Sequence, residues 1–282
     1  MPDIAIVTDS TAYLSEELIR EYGIHVLPLK VIWGKESFDD NVDITPSMFY
    51  QRLQESEEMP TTSQVTIGEF QSLFESLHAE GKDILCVLIS SEISGTLASA
   101  ETARKEVPDA RIALVDSRTT TVDLAYQVLV AARAARNGAS LEECVALVEQ
   151  DKQNSGVVFA VDTLEFLHRG GRIGGAKRLL GTVLNIKPIL TLTDGKVDAL
   201  EQARTRRKSI SRLIEIVSER VEGKRNLRLG VAHADAAEEA TKFLQEAANQ
   251  LNPVETMVAE LSPVIGTHVG PGTLALTYHY EG

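Results

Sequence analysis

Cysteine is nearly absent from this chain: Cys86 and Cys144 are the only two in 282 residues, and each sits in an apolar context. Two thiols make no disulfide framework, and both read as core residues of a protein in a reducing, cytoplasmic compartment. Long apolar runs are missing as well. None approaches the roughly 20 residues that cross a bilayer, so no stable membrane insertion is expected. The N-terminus, MPDIAIVTDS, enters an apolar strand at once and lacks the basic flank and apolar core of a secretory signal. The six histidines (His25, His78, His168, His233, His268, His279) show no metal-ligand spacing, so no metal is expected. Walker A, GxGxxG and protein-kinase signatures are also missing, and no cofactor is expected. Basic charge is in short supply, with 28 Lys and Arg against 41 Asp and Glu. The resulting net charge of −13 excludes sequence-independent nucleic-acid binding as a main role.

The basic charge that is present is concentrated. Residues 168–212 hold eleven Lys and Arg against three acids, net +8, which leaves −21 on the rest of the chain. Such an island suggests a local anionic ligand or partner, or a solvated face.

The length suits two domains of about 100–150 residues. The first half alternates short apolar strands with helices. Ile4–Val7, Asp83–Ile89 and Arg111–Val115 read as strands and His25–Trp33 as extended, while Ser15–Tyr22, Pro46–Gln54, Ile67–Ala79 and three Ala-rich segments read as helices. Thr66 with Glu69 forms a capping box. This pattern predicts a parallel α/β domain covered on both faces. The second half predicts six strands: Val157–Val161, Ile186–Leu192, Lys196–Ala203, Leu227–His233, Val254–Leu261 and Leu274–Tyr280. Asp194-Gly195 is a hairpin turn between the second and third. With amphipathic helices at Arg206–Arg220 and Asp235–Gln250, the expectation is an α+β domain on a largely antiparallel sheet. The boundary is placed after residue 155, giving domains 1–155 and 156–282.

Several segments carry chemistry-bearing residues. The strand at Asp83 runs through Ser90-Ser91 into a helix whose first turn is expected to hold Ser94, Gly95 and Thr96. Free N–H groups there favour an anion, although Ser94 could equally serve only as a cap. Pro60-Thr61-Thr62-Ser63-Gln64 reads as a hydroxyl-rich turn, able to donate hydrogen bonds without adding charge. Residues 263–272 read as a rigid loop with Thr267 and His268 at its centre. Arg169-Gly170-Gly171-Arg172-Ile173-Gly174-Gly175 reads as an inter-domain loop that sets arginines at the rim of a cleft.

In order along the chain, Val7-Thr8-Asp9-Ser10-Thr11, Thr61-Thr62-Ser63-Gln64, Ser90-Ser91-Glu92-Ile93-Ser94-Gly95-Thr96, Asp116-Ser117, Gly170-Gly171-Arg172-Ile173, Arg204-Thr205-Arg206 and residues 265–272 resemble the DegV family of bacterial fatty-acid-binding proteins. The resemblance implies a two-domain fold with a fatty acid, such as palmitate, stearate or oleate, held between the domains. It also implies that Thr62, Ser94 and the Gly95 N–H hold the carboxylate, with Thr96, Thr267 and His268 close by. The protein would be a non-catalytic carrier that presents the acid to the catalytic subunit of a fatty acid kinase, which makes the acyl phosphate. Arg172, Lys187 and Arg204 are the candidates for contact with that partner or with the new phosphate. The competing reading is an acyl hydrolase using Ser94 and His268, although the chain lacks a G-x-S-x-G elbow around Ser94.

Overall fold

A computed structural model describes residues 3–181 and 186–281. In the first half the elements run β1 (Ile4–Asp9), α1 (Glu16–Tyr22), β2 (His25–Leu27), β3 (Lys30–Trp33), β4 (Glu36–Asp39), α2 (Pro46–Glu55), β5 (Thr61–Ser63), α3 (Ile67–Ala79), β6 (Asp83–Leu88), α4 (Thr96–Glu106), β7 (Ile112–Asp116), α5 (Thr121–Arg136) and α6 (Leu141–Gln153). The second half continues with β8 (Ser155–Ala160), α7 (Glu165–Arg169), β9 (Lys187–Thr193), β10 (Lys196–Ala203), α8 (Arg206–Val221), β11 (Arg225–His233), α9 (Ala237–Leu251), β12 (Glu255–Glu260), α10 (Pro263–Val269) and β13 (Leu274–Glu281).

The first sheet has the order β2-β1-β6-β7 and every pairing in it is parallel. Every residue of β6 is buried, as a central parallel strand covered on both faces must be. The helix starts follow their caps. Ser15 caps α1, and the Thr66–Glu69 capping box opens α3 in both directions. The second sheet has the order β10-β9-β8-β13-β11-β12. All its pairings are antiparallel except β11 with β12. Asp194 and Gly195, both at positive φ, form the β9–β10 turn.

Two features were not legible. His25–Trp33 is two strands in two different sheets, because Leu27 ends its pairing with β1 and the chain turns away at Pro28. The hydroxyl-rich segment at Thr61 is a strand, β5, in a small antiparallel sheet of order β4-β3-β5. Its three residues are too few for any periodicity to register.

The chain passes from α6 to β8 at Asn154, so the boundary expected after residue 155 falls just inside β8, and the packing is continuous across that point. One apolar cluster joins the parallel sheet to Val157, Phe159, Val197 and Ala275 on one face of the six-stranded sheet. A second lies on the opposite face, where Val158, Leu274 and Leu276 meet Leu213, Val217 and Phe243 of α8 and α9. The alternation along each strand thus feeds two cores.

Helix α5 is the joint between the two halves. It packs against β1 and β6 on one side and against β8, β11, β12 and β13 on the other. Its residues from Thr121 to Leu129 are all buried, which is the mark of a helix enclosed on every side. Small residues permit this closeness. A Cβ on Gly230 of β11 would stand 2.2 Å from Val122 Cγ1. Polar ties then fix the register: Tyr126 donates to the Leu229 carbonyl at 2.9 Å, and Arg133 makes a two-pronged pair with Glu255 at 2.7 and 3.0 Å.

The deepest tie is His279 of β13. Its Nδ1 is 2.8 Å from Asp151 of α6, its Nε2 is 2.9 Å from Asp123 of α5, and the ring is fully buried. Burial alone would lower its pKa, but hydrogen bonds and charge from Asp123 and Asp151 outweigh it and raise the pKa to about 9. Replacing His279 with Gln leaves buried Asp123 facing no cation among the described residues and Asp151 with only Arg228 at 3.9 Å, and should cost about 3–5 kcal/mol at neutral pH. Because the folded pKa is raised, this stabilisation is complete below the ordinary 6.5 and is lost as pH rises through about 9. Denaturant unfolding of wild type and His279→Gln across that range should therefore give curves that converge at high pH.

Candidate functional site

A cavity lies where the C-terminal ends of the parallel strands meet the three-stranded sheet, α10 and one face of the six-stranded sheet. It encloses about 850 Å³ not filled by protein atoms, part of it open to solvent. Its walls are largely apolar: Leu29, Ile89 and Ile93 come from the first half, and Val157, Phe159, Leu192, Val197, Leu261, Val264, Ile265 and Ala275 from the second. Polar side chains also line it, Thr62, Gln64, Ser94, Thr120, Arg172 and His268 among them.

Thr62 and His268, 206 residues apart, meet at 2.8 Å between Thr62 Oγ1 and His268 Nε2. β5 supplies the threonine. The histidine comes from α10, so residues 263–272 are mostly helix rather than loop. Pro263 sits at its first turn, where a missing N–H costs nothing, and Gly270 closes it at φ 75°. The glycines that suggested a loop are close-packing points. A Cβ on Gly266 would fall 2.7 Å from Tyr50 Oη and 2.9 Å from the Phe49 ring of α2. Asp40 pins the start of this helix. Its carboxylate accepts from Ser10 and Ser262 Oγ at 2.7 Å each and from the Val264 N–H at 3.3 Å. Burial lifts its pKa to about 6 even so.

His268 is neutral. Burial pushes its pKa down to about 4, and the positive charge of Arg172 adds to the effect. Its Nδ1 is buried against the Gly170 backbone and has no hydrogen-bond partner within the described residues. An unpaired acceptor is tolerated better than an unpaired N–H, so the proton belongs on Nε2, where it is donated to Thr62. The Thr62 hydroxyl then keeps its own proton for a ligand.

Ser94 lies just before α4, whose N-cap is Gly95. Its Oγ is 2.9 Å from Thr96 Oγ1 and accepts from the Thr96 N–H at 3.3 Å. No hydrogen bond joins Ser94 to His268 among the described residues, and the only titratable nitrogen of His268 that is engaged faces Thr62. The Gln64 side chain covers Gly95, about 3.1 Å from where a Cβ would stand. Gln64 also lines the cavity. It was part of the quoted turn but received no role, because one amide in a loop carries no periodic or spacing signal.

The remaining candidates separate into four groups. Gly95 and Thr96 stand behind Ser94 rather than on the cavity wall. The Thr267 hydroxyl donates to the Pro263 carbonyl one turn back at 2.8 Å, so it has no proton for a ligand. Arg172 reaches the wall from the glycine-rich segment and donates to the Ile93 carbonyl at 3.1 Å and the Gly170 carbonyl at 2.8 Å. Lys187 and Arg204 line a separate surface groove with Asp162, to which Lys187 is paired at 2.9 Å. Much of the basic island is neutralised: Arg212 pairs with Glu201, Glu215 and Glu219, and Arg206 with Asp162 and Glu239. Among the described residues, Arg172, Lys177, Arg204, Arg207 and Lys208 have no ion pair. Both cysteines are buried thiols.

Residues 3–281 match the family described as "Uncharacterised protein, DegV family". The chain belongs to the DegV family. A DegV domain-containing protein of Halalkalibacterium halodurans is 36% identical over 282 residues, with 100% of both chains covered. Among solved structures, this DegV chain is similar to "Fatty Acid Binding of a DegV family Protein from Thermus thermophilus" at TM-score 0.94 and 35% identity, covering 99% of this chain and 100% of that one. It is also similar to "Crystal Structure of DegV, a fatty acid binding protein from Bacillus subtilis" at TM-score 0.91 and 34% identity, covering 100% of each.

A Cβ added at Gly170 would lie 2.1 Å from His268 Nδ1, so Gly170→Ala must displace the imidazole and break its bond to Thr62. In wild type the His268 ring resonances should stay those of a neutral imidazole down to about pH 4. In Gly170→Ala the ring, moved toward solvent, should titrate nearer its ordinary 6.5, with the fold retained by circular dichroism.

Proposed function

We propose that this protein holds one long-chain fatty acid in the cavity, with the acyl chain on the apolar walls and the carboxylate at Thr62 and Ser94, backed by the Gly95 N–H and beside neutral His268. The observation that carries the reading is a largely apolar cavity with a hydroxyl pair and an uncharged histidine on its wall. The two DegV proteins above, whose structures are described as fatty acid binding, support it. Burying a sixteen-carbon chain is worth roughly 10 kcal/mol, at about 0.8 kcal/mol per CH₂. Tight binding therefore needs no salt bridge, and the polar groups need only fix orientation.

A neutral site also suits a carboxylate that must react later, since a close guanidinium would withdraw its charge. Arg172 stands beside His268 but spends Nε and Nη1 on backbone carbonyls. In this reading the protein is a carrier. A fatty acid kinase phosphorylates the presented carboxylate, and Arg172, Lys187 and Arg204 meet the kinase or the acyl phosphate. Among the described residues, the lack of a Ser94–His268 hydrogen bond, and of an acid behind His268, weighs against a hydrolase. No helix among the described residues is long and apolar enough to cross a membrane.

Denaturing extraction of the purified protein followed by mass spectrometry should yield near-stoichiometric long-chain fatty acid. An empty extract, with no uptake of added oleate or palmitate, would sink the reading. Thr62→Val and Ser94→Ala should each weaken oleate binding about tenfold, the scale of a hydrogen bond to a charged acceptor. Wild-type affinity in the double variant would place the carboxylate elsewhere. With purified kinase, Arg204→Ala should slow acyl-phosphate formation while leaving oleate affinity unchanged.

A further inference from the structure

The cavity is not apolar throughout. Thr120 lies on its wall, at the start of α5, with a buried Oγ1 that has no hydrogen-bond partner within the described residues. The same is true of Gln127 Oε1 and Thr277 Oγ1. Gln127 and Thr277 are fully buried. Each such atom is destabilising if nothing satisfies it, so the three call for an occupant with hydrogen-bonding groups.

Their placement is directional. Ala275 and Thr277 point to one face of β13, because side chains alternate along a strand, and Thr273 immediately precedes that strand. Thr273 lies at the His268 end, where its hydroxyl donates to the Val269 carbonyl at 3.0 Å. Thr273 and Ala275 line the cavity, and Thr277 follows roughly 13 Å beyond Thr273, at about 3.3 Å per residue, directly across from Val157 of β8. Val157 and Leu192 are shared between the main cavity and a second, polar chamber, and Gln127 belongs to that chamber. The outer wall of that chamber carries Arg118 and Asp194, both exposed. Thr121, on the same stretch of wall, holds φ 63°, a strained value for a β-branched residue.

We propose that Thr120, Gln127 and Thr277 form a distal polar subsite that accepts an oxygen on the acyl chain, so that the protein takes mid-chain hydroxy fatty acids as well as plain ones. The chemistry is complementary. A ligand hydroxyl donates its proton to Gln127 Oε1, which can only accept, and accepts from a threonine hydroxyl, which can do either. Gln127 is held for this role, since its Nε2 already donates to the Ser117 carbonyl at 3.2 Å. A plain alkyl chain leaves these atoms to water.

The inference rests on the fatty-acid reading, and the test separates the two. Stearate, 10-hydroxystearate and 12-hydroxystearate are titrated by competition against a fluorescent fatty acid into delipidated protein, wild type and the near-isosteric Thr120→Val and Thr277→Val. In wild type at least one hydroxystearate should bind as tightly as stearate or up to about tenfold tighter. At least one folded variant should lose about tenfold for that ligand and nothing for stearate. Stearate binding with both hydroxystearates tenfold or more weaker in wild type would overturn the subsite alone. Equal binding that neither variant alters would show a chamber holding water only, and would overturn it too. Failure of all three ligands to bind would remove the fatty-acid reading and the subsite together.

Discussion

The fold depends on enclosing α5 from every side. This helix fills the space between two sheets that differ in pairing, the parallel sheet of the first half and the mixed six-stranded sheet of the second. Apolar packing supplies the bulk of the attraction but no direction. Direction comes from His279 between Asp123 and Asp151, Tyr126 on the Leu229 carbonyl, and Arg133 on Glu255. Each links α5 or its neighbour α6 to the second sheet, so the two sheets cannot slide without breaking buried polar contacts.

The cavity follows from the same arrangement. α5 covers the inner face of the six-stranded sheet only along part of its length, and its first turn stops at Thr121. Beyond that point the face of Val157, Phe159 and Ala275 is roofed by strand ends, the small sheet and α10. These meet edge to edge and leave room that side chains do not fill. A hollow lined with apolar groups must find an apolar occupant or stay empty, and that physical demand underlies the proposed lipid.

Electrostatics divide the molecule into two kinds of polar site. At His279 an imidazolium is stabilised between two carboxylates, and its pKa rises to about 9. At His268 an imidazole with no carboxylate beside it, and with Arg172 nearby, falls to about 4. Both histidines are buried, so burial does not distinguish them; the sign of the neighbouring charge does. The first is an internal brace, and the second donates its N–H to Thr62 and so leaves the threonine hydroxyl proton free.

Much of this was legible in the sequence because it depends on local rules. The apolar runs at Ile4, Asp83 and Ile112, the capping box at Thr66 and the turn at Asp194-Gly195 each follow from neighbours in the chain, and the parallel and largely antiparallel halves follow from their alternation. Thr62, Ser94, His268 and Arg172 were all named, and all reach the cavity wall. The errors share one cause. Gly266 and Gly270 were read as loop formers, whereas they let a helix pass close to Tyr50 and Phe166; β5 was read as a turn because only its pairing with β3 makes it a strand. Thr267 looked equivalent to His268 until its hydroxyl was seen to bond its own helix. The sequence by itself determined the elements, their capping and the chemical types available to the site, since these depend on residues within a few positions of one another. Only the tertiary structure decided that Thr62 would meet His268, that Gln127 and Thr277 would lack partners, and that Lys187 and Arg204 would face a different groove, because burial and hydrogen bonding there depend on segments brought together from opposite ends of the chain.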